Sequence, residues 1–472
     1  MSKKIIIAIL TGSIFLSGTG CKKFLDVNTD PSGAVAVNDP LLLSGIEIVN
    51  AFNIAGGYPA RTAAFWTQQL AYNQAPPEWD TYRVTAPDVD NTWSFDLYPA
   101  CLENLKKLEA QATAQGHTHF AGVAKVLIAF DIAVATDLWN DVPYSQAFQG
   151  SENLTPKYDT QESIYNSINT LLSDAITLLT GPDNSIVQPD AKDLVYGGDI
   201  SKWTKFAYLL QARFALRLTY APNHQAVTQA QAALAAAAKS FTSAADNAGV
   251  QFAATAGSEA PWYQFVNNWG SIMVSSTMIN RLVSTNDPRL TVYADPNAVG
   301  NYVGRVIGAD PDQTDSISGL GDFWGDNPAQ TVFYGTYDEV LFIQAEATYL
   351  TSGFAAAQPI LTQAVKAAMQ RVGIDPNGAD VAAYLAANCT LTASNAYEVI
   401  MTQKYLANFL SLESYNDWRR TNFPTLTVVE NPYLGLTSIP RRWVYPASEN
   451  QTNPQPEQPG SLTGRVWWDT LQ

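Results

Sequence analysis

The chain has 472 residues, 46% of them apolar, enough to bury a substantial core in one large helical domain or a helical array. Its formal charge is −16, with 43 acidic against 27 basic residues, a field that repels phosphate backbones and excludes nucleic acid as a partner. Three cysteines in this length make no disulfide scaffold, and three histidines (His117, His119 and His224) without ligand spacing give zinc chemistry no ligand set.

Lys3 and Lys4 precede the apolar run from Ile5 to Leu16, and the small residues Ser17, Gly18, Thr19 and Gly20 precede Cys21. A basic end, a short apolar stretch and small residues read as a secretory signal over residues 1–20. A cysteine directly after them is the acceptor pattern of a bacterial lipoprotein, so lipidation is expected at Cys21, tethering the mature chain. No later apolar run reaches the length of about 18 residues that spans a bilayer.

Residues 21–40 are polar and turn-rich and read as a tether or lead-in. Helical pairs are expected over 41–247, with helices at Leu41 to Ala51, Arg61 to Tyr72 and Asn91 to Gln111. Phe120 to Leu138 is apolar almost all round, which predicts a buried helix. Asp159 to Glu162 reads as an acidic cap for a helix striped by Ile164, Ile168, Leu171, Leu172, Ala175 and Leu179. Asp199 precedes a helix carrying Trp203, Phe206, Leu210 and Phe214, and Ala226 to Lys239 follows. From 248 to 335 the period fails, apart from a short helix near Ser275 to Val283, which predicts a loop-rich insertion forming a ligand face. Helical pairs resume over 336–421, at Asp338 to Tyr349, Ala355 to Val372, Val381 to Ala386 and Asn395 to Leu410. The tail, 422–472, reads as ordered coil. Paired helices at this spacing suggest tetratricopeptide-like stacking in an all-α fold.

Several segments carry a resemblance. They are Cys21 to Pro31, Asp137 to Tyr144, Gly198 to Phe206 continuing to Arg213–Arg217, Asn286 to Leu290, and Ala345 to Ala347. Gln403 to Tyr405, Glu413 to Arg420, and Ile439 to Pro446 with Glu449 and Asn450 complete the set. In this order the chain resembles the SusD/RagB family, surface nutrient-binding lipoproteins of Bacteroidota. The resemblance implies a right-handed array of tetratricopeptide-like helix pairs with an irregular ligand face. It implies residence at the outer membrane through the lipid anchor, facing the cell exterior, as the lid of a SusC-like TonB-dependent barrel. It implies capture of an oligosaccharide, a peptide or another nutrient without catalysis or cofactor. The alternatives are a peptide-binding member of the same family, a secreted helical glycoside hydrolase, and a scaffold that binds only protein.

The family motifs read as structural. Arg213, Arg217, Arg419, Arg420, Arg441 and Arg442 are expected to pair with carboxylates such as Glu346, Glu413 and Asp417, because a planar guanidinium suits bidentate pairing. Ligand binding is expected from loop aromatics, whose flat faces stack on sugar rings or peptide side chains. The candidates are Trp79 and Tyr82, then Trp262, Tyr263 and Trp269, then Phe323 and Trp324. Asn267 and Asp326 are the nearest polar partners for hydroxyls, with Asn268, Asp322 and Asn327 close in sequence. The acidic stretch Asp310 to Asp315 lacks the spacing of a calcium loop and reads as a solvated turn. No metal site is expected, and the sequence leaves open whether Cys101 and Cys389 pair.

Overall fold

The computed structural model describes residues 37–453 and 460–471. The signal segment 1–20, Cys21 and the lead-in as far as residue 36 lie outside the described residues. Before the irregular middle come α1 (Asp39–Val49), α2 (Tyr58–Trp66), α3 (Asn104–Gln115), α4 (Thr118–Trp139), α5 (Gln161–Thr180), α6 (Ile200–Arg217) and α7 (Ala226–Ala237). The middle holds α8 (Pro261–Trp269) and α9 (Ser276–Ser284). After it come α10 (Tyr337–Ser352), α11 (Phe354–Arg371), α12 (Ala379–Asn388), α13 (Ala396–Ala407) and α14 (Leu412–Thr421). The helices pack as neighbours: α3 on α4, α4 on α5, α5 on α6, α6 on α7, α7 on α10 and α10 on α11.

The all-round apolar pattern of α4 makes it the central helix, with every residue from Val126 to Trp139 buried. Its Gly122 is where α5 comes closest: a Cβ there would sit 2.8 Å from Leu179. A second, smaller apolar cluster, including Phe342, Leu361, Val365, Val381 and Ile400, seals α10, α11, α12 and α13. Each such side chain contributes roughly 1.5–3 kcal/mol by leaving water. By length and composition, Asp39–Trp66 reaches the apolarity of a membrane-spanning helix. It carries the buried Glu47 and Asn50 and sends Leu43, Ile46, Ile54 and Phe65 into the core, as a core helix does.

The cap of α5 differs from the sequence expectation. Thr160 is the N-cap, its Oγ1 accepting from the Ser163 amide at 3.3 Å. Asp159 instead accepts from the Tyr144 and Ser145 amides at 3.0 and 2.7 Å, holding the turn after α4. The helix expected over Arg61 to Tyr72 also stops early. Gln68 takes φ +61°, and Leu70–Tyr72 becomes a strand, β1. Short strands make three two-stranded antiparallel ladders: β1 with β5 (Ile272–Val274), β2 (Val142–Pro143) with β3 (Tyr158–Asp159), and β4 (Ala248–Gln251) with β6 (Thr331–Gly335). The β1–β5 ladder ties the middle segment to the end of α2, and β4–β6 closes that segment's two ends on each other; both join partners far apart in sequence, which local periodicity does not reveal.

The arginines of the quoted motifs are buried, except Arg442, which is half-buried. Arg213 makes a bidentate pair with Glu339 at 2.6 and 2.8 Å. Arg217 bridges Asp137 and Glu413. Arg420 donates to Glu346 and to Asp417 at 2.8 Å. Arg441 meets Asp469 at 2.8 Å. Two arginines depart from the expected carboxylate pairing. Arg419 donates to the Asp137 and Arg441 carbonyls at 2.6 and 2.9 Å and lies over the Tyr415 ring at 4.1 Å. Arg442 donates to the carbonyls of Trp139 and Trp443. The motif at Asn286 closes on itself: Arg289 chelates Asp287 at 2.8 and 2.6 Å and donates to Tyr384 and Gln403 at 2.9 Å. Cys101 and Cys389 are separate buried thiols, and burial pushes Cys389 up to about 12.

Candidate functional site

The β1–β5 ladder brings two loops together. Tyr72 pairs with Ile272, and the Asn73 amide donates to the Ser271 carbonyl at 2.8 Å. The end of α8 thus lies beside the turn that carries Trp79. Pro261 opens α8 and Gly270 ends it in the left-handed region at φ +62°. Trp262, Phe265 and Trp269 follow at steps of three and four, so they share one face of the helix. Trp262 and Phe265 are buried, whereas Trp269, the last residue of α8, is 51% exposed.

Trp79 is half-buried at the centre of a ring cluster. Its ring lies 5.3 Å from Trp269, 5.0 Å from Tyr72, 5.2 Å from Phe65 and 5.4 Å from Phe265. Each pair is worth about 0.5–1.5 kcal/mol beyond its buried area, so the platform is fixed before any ligand arrives. Arg61 lies over the Phe265 ring at 4.1 Å. The turn is held from below by Asp80, which is fully buried and accepts from the Tyr72 amide at 2.7 Å and the Gly308 amide at 3.1 Å. Asn73 clamps the next loop, donating to the Asp312 carbonyl at 3.0 Å and accepting from its amide at 2.8 Å. Polar groups beside the platform are Gln74 and Glu78, with the exposed Asn268 next to Trp269 in sequence. Gln74 accepts from the Tyr72 hydroxyl at 2.6 Å, and Glu78 pairs with Arg83 at 2.7 Å. A flat aromatic surface with amide and carboxylate groups at its edge can stack on an apolar ring face and accept hydroxyl hydrogens.

The other candidates are placed differently. Tyr82 is fully buried at φ +68°, with its hydroxyl oxygen accepting from the Val429 amide at 3.2 Å. Trp262 and Trp324 are 3% and 7% exposed and line a partly open cavity of about 80 Å³ with Arg213, Glu339 and Asn408. Phe323 is half-buried against Trp324, with ring centroids 4.9 Å apart. Tyr263 is half-buried, and Asn267 and Asp326 are exposed. The Asn267 amide is spent on the Tyr263 and Gly325 carbonyls at 2.9 and 3.0 Å, joining α8 to the short helix Asp322–Gly325. Of the nine candidates, only Trp79 and Trp269 form a shared surface. Tyr72, Phe65 and Phe265 back it from within and were missed, because the first two lay in a stretch read as helix and Phe265 in one read as loop. Asp310 to Asp315 is exposed, and the loop before it is held by the buried Arg305, which donates to the Val306 and Ala309 carbonyls at 2.7 and 2.6 Å.

The family model described as starch-binding, associating with the outer membrane, matches residues 41–446. The chain belongs to the SusD-like family. Solved structures of similar fold include a chitin-binding protein, 26% identical with a TM-score of 0.79, matched over 92% of this chain and 100% of that one. A SusD/RagB family protein from Bacteroides thetaiotaomicron is 25% identical with a TM-score of 0.78, over 92% and 99% of the two chains. A chitin-binding SusD homolog from Flavobacterium johnsoniae, at 21% identity and a TM-score of 0.74 over 91% and 97%, shares the fold. Among curated proteins none matches significantly. The helical fold expected from the resemblance is the fold observed, and the SusD-like family is one of outer-membrane-associated nutrient binding.

In this SusD-like protein the anchor beneath the platform titrates. Burial pushes the Asp80 carboxyl from 3.8 up to about 7, against the pull of the Gly308 and Tyr72 amides and Arg305. A carboxyl that holds its proton more tightly folded than unfolded favours the fold most below the unfolded pKa of about 4, and this contribution is lost as pH rises through about 7. Urea unfolding at about pH 5 and about pH 8 reads this directly. The midpoint should fall with rising pH more in the wild type than in Asp80→Asn. Equal pH dependence in the two proteins would remove Asp80 from this role.

Proposed function

We propose that the protein is a non-catalytic lipoprotein, anchored through Cys21 and facing the cell exterior. It captures a neutral glycan on the Trp79–Trp269 platform and passes it to a SusC-like TonB-dependent barrel, over which it acts as the lid. The observation that carries this reading is the exposed Trp269 ring beside Trp79, fixed by three further aromatics and fringed by amide and carboxylate groups. A pyranose with equatorial substituents has apolar C–H faces that match an indole, and its hydroxyls suit such a fringe. The chitin-binding relative makes chitin oligosaccharides the first glycans to try. The family's outer-membrane association supports the location.

The experiment is calorimetric titration of the soluble chain, starting after Cys21, against chitin oligosaccharides, malto-oligosaccharides and mixed peptides, with reducing ends assayed in parallel. Saturable heat with one glycan class and no new reducing ends is expected. Heat with peptides alone would move the ligand to the peptide class, and steady release of reducing ends would replace the binding protein with a hydrolase.

A further inference from the structure

A second aromatic groove, sharing no lining residue with the Trp79–Trp269 platform, lies between the wide-turned helix Thr92–Glu103, the loop over residues 143–156 and the short helix Ala447–Thr452. Its volume is about 430 Å³. That falls within the range of small-molecule sites, roughly 300–1,000 Å³. Its floor is a run of rings. Trp93 is buried against Tyr98 with centroids 4.6 Å apart, and Tyr98 stacks on Phe148 at 6.1 Å and 23°. Phe148 holds φ +62°, a backbone state that bulky side chains rarely take. Strain of this kind persists where surroundings over-determine it, and it clusters at ligand sites. Leu154, 75% exposed, stands at the rim.

The polar groups of the groove are hydroxyls and carboxylates. Ser94, Glu103, Ser448, Glu449 and Thr452 line it, and among the described residues no lysine or arginine does. Glu449 is anchored by the Tyr158 hydroxyl at 2.8 Å and the Asn453 amide at 2.9 Å. Ser448 Oγ lies 2.7 Å from Ser94 Oγ. The groove therefore offers apolar ring faces and acceptors for hydroxyl hydrogens, and it repels anions.

We infer that this groove is a second saccharide site, taking a short segment of a neutral glycan with its C–H faces on Tyr98 and Phe148 and its hydroxyls on Glu103 and Ser448. The inference rests on the reading of the protein as a glycan binder and adds a second place at which one molecule holds the chain. Uronate or sulfated glycans do not fit it, since two carboxylates face them and Lys107, paired with Glu103 at 3.3 Å, balances only one.

The test is the stoichiometry of a short neutral oligosaccharide, chitotriose, titrated into the soluble mature chain, with malto-oligosaccharide as the second probe. Two ligands per wild-type molecule are expected, falling to one in Trp269→Ala and to one in Phe148→Gly. Glycine suits φ +62°, so Phe148→Gly removes the ring without forcing the backbone. Tyr98→Ala serves as a second variant, checked by its thermal melt because the Tyr98 hydroxyl donates to the Pro143 carbonyl at 2.8 Å. Binding that survives Trp269→Ala and disappears on adding Phe148→Gly would also support the groove. One ligand per molecule, lost in Trp269→Ala and intact in Phe148→Gly, would overturn the groove and leave the platform standing. No binding of either saccharide by the wild type would overturn both.

Discussion

Trp269→Ala is expected to weaken glycan binding at the platform by about 2 kcal/mol or more, roughly thirty-fold in Kd, while the melting temperature stays within a degree or two of wild type. The ring is 51% exposed at the last position of α8, so its removal opens no cavity. It does remove half of the paired indole surface with Trp79. Trp262→Ala, two turns earlier on the same face, should behave in the opposite way. That ring is 3% exposed, so its loss costs about 3–5 kcal/mol of stability, and binding changes only through the fold. Calorimetry and thermal melts on the two variants separate the roles. Unchanged affinity in Trp269→Ala would take the ligand away from the platform.

Glu346→Ala should cost about 3–5 kcal/mol of stability, as much as losing a buried tryptophan. Glu346 is fully buried on α10 and receives both Arg420 terminal nitrogens, the Tyr397 hydroxyl at 3.1 Å and, more distantly, Lys404 at 3.7 Å. It joins α10 to α13 and α14. Without it, two buried cations share Asp417 alone, which lies 2.9 Å from Lys404 and 2.8 Å from Arg420. Those two cations already hold the Asp417 carboxyl far below the usual range despite its burial. Lys107→Ala is the contrasting case. Its pair with Glu103 spans 3.3 Å with side chains 59% and 35% exposed, so solvent screening leaves it about 0–1 kcal/mol. Denaturant melts should show a large fall in midpoint for Glu346→Ala and almost none for Lys107→Ala. Similar small shifts in both would mean that the buried network relaxes around its missing carboxylate.

The helices were legible because their information is local. The all-apolar stretch of α4 has the pattern of a buried helix, and the stripe of α5 names its core face from sequence alone. What escaped depended on distant partners. Leu70–Tyr72 carries no strand signature of its own, and its strand character comes from pairing with Ile272–Val274. Asp159 looked like a helix cap, but the turn at Tyr144 and Ser145 outcompetes the helix for its carboxylate. The arginine pairing was right in kind for Arg217 and Arg420. It failed for Arg419 and Arg442, because nearby backbone carbonyls took their donors. At the candidate site, the sequence showed that aromatics crowd the loops but not which way each ring turns. The exception is α8, where Pro261, the spacing of Trp262, Phe265 and Trp269, and Gly270 spell out a short amphipathic helix inside a segment read as loop.

The most direct test of the central claim is to record the indole N–H signals of the twelve tryptophans by NMR while chitin oligosaccharide is added to the soluble mature chain. The signals of Trp269 and Trp79, assigned by substitution, should shift together and saturate with the calorimetric Kd, while those of Trp262 and Trp324 stay in place. Saturable binding that leaves Trp79 and Trp269 unmoved would contradict the account.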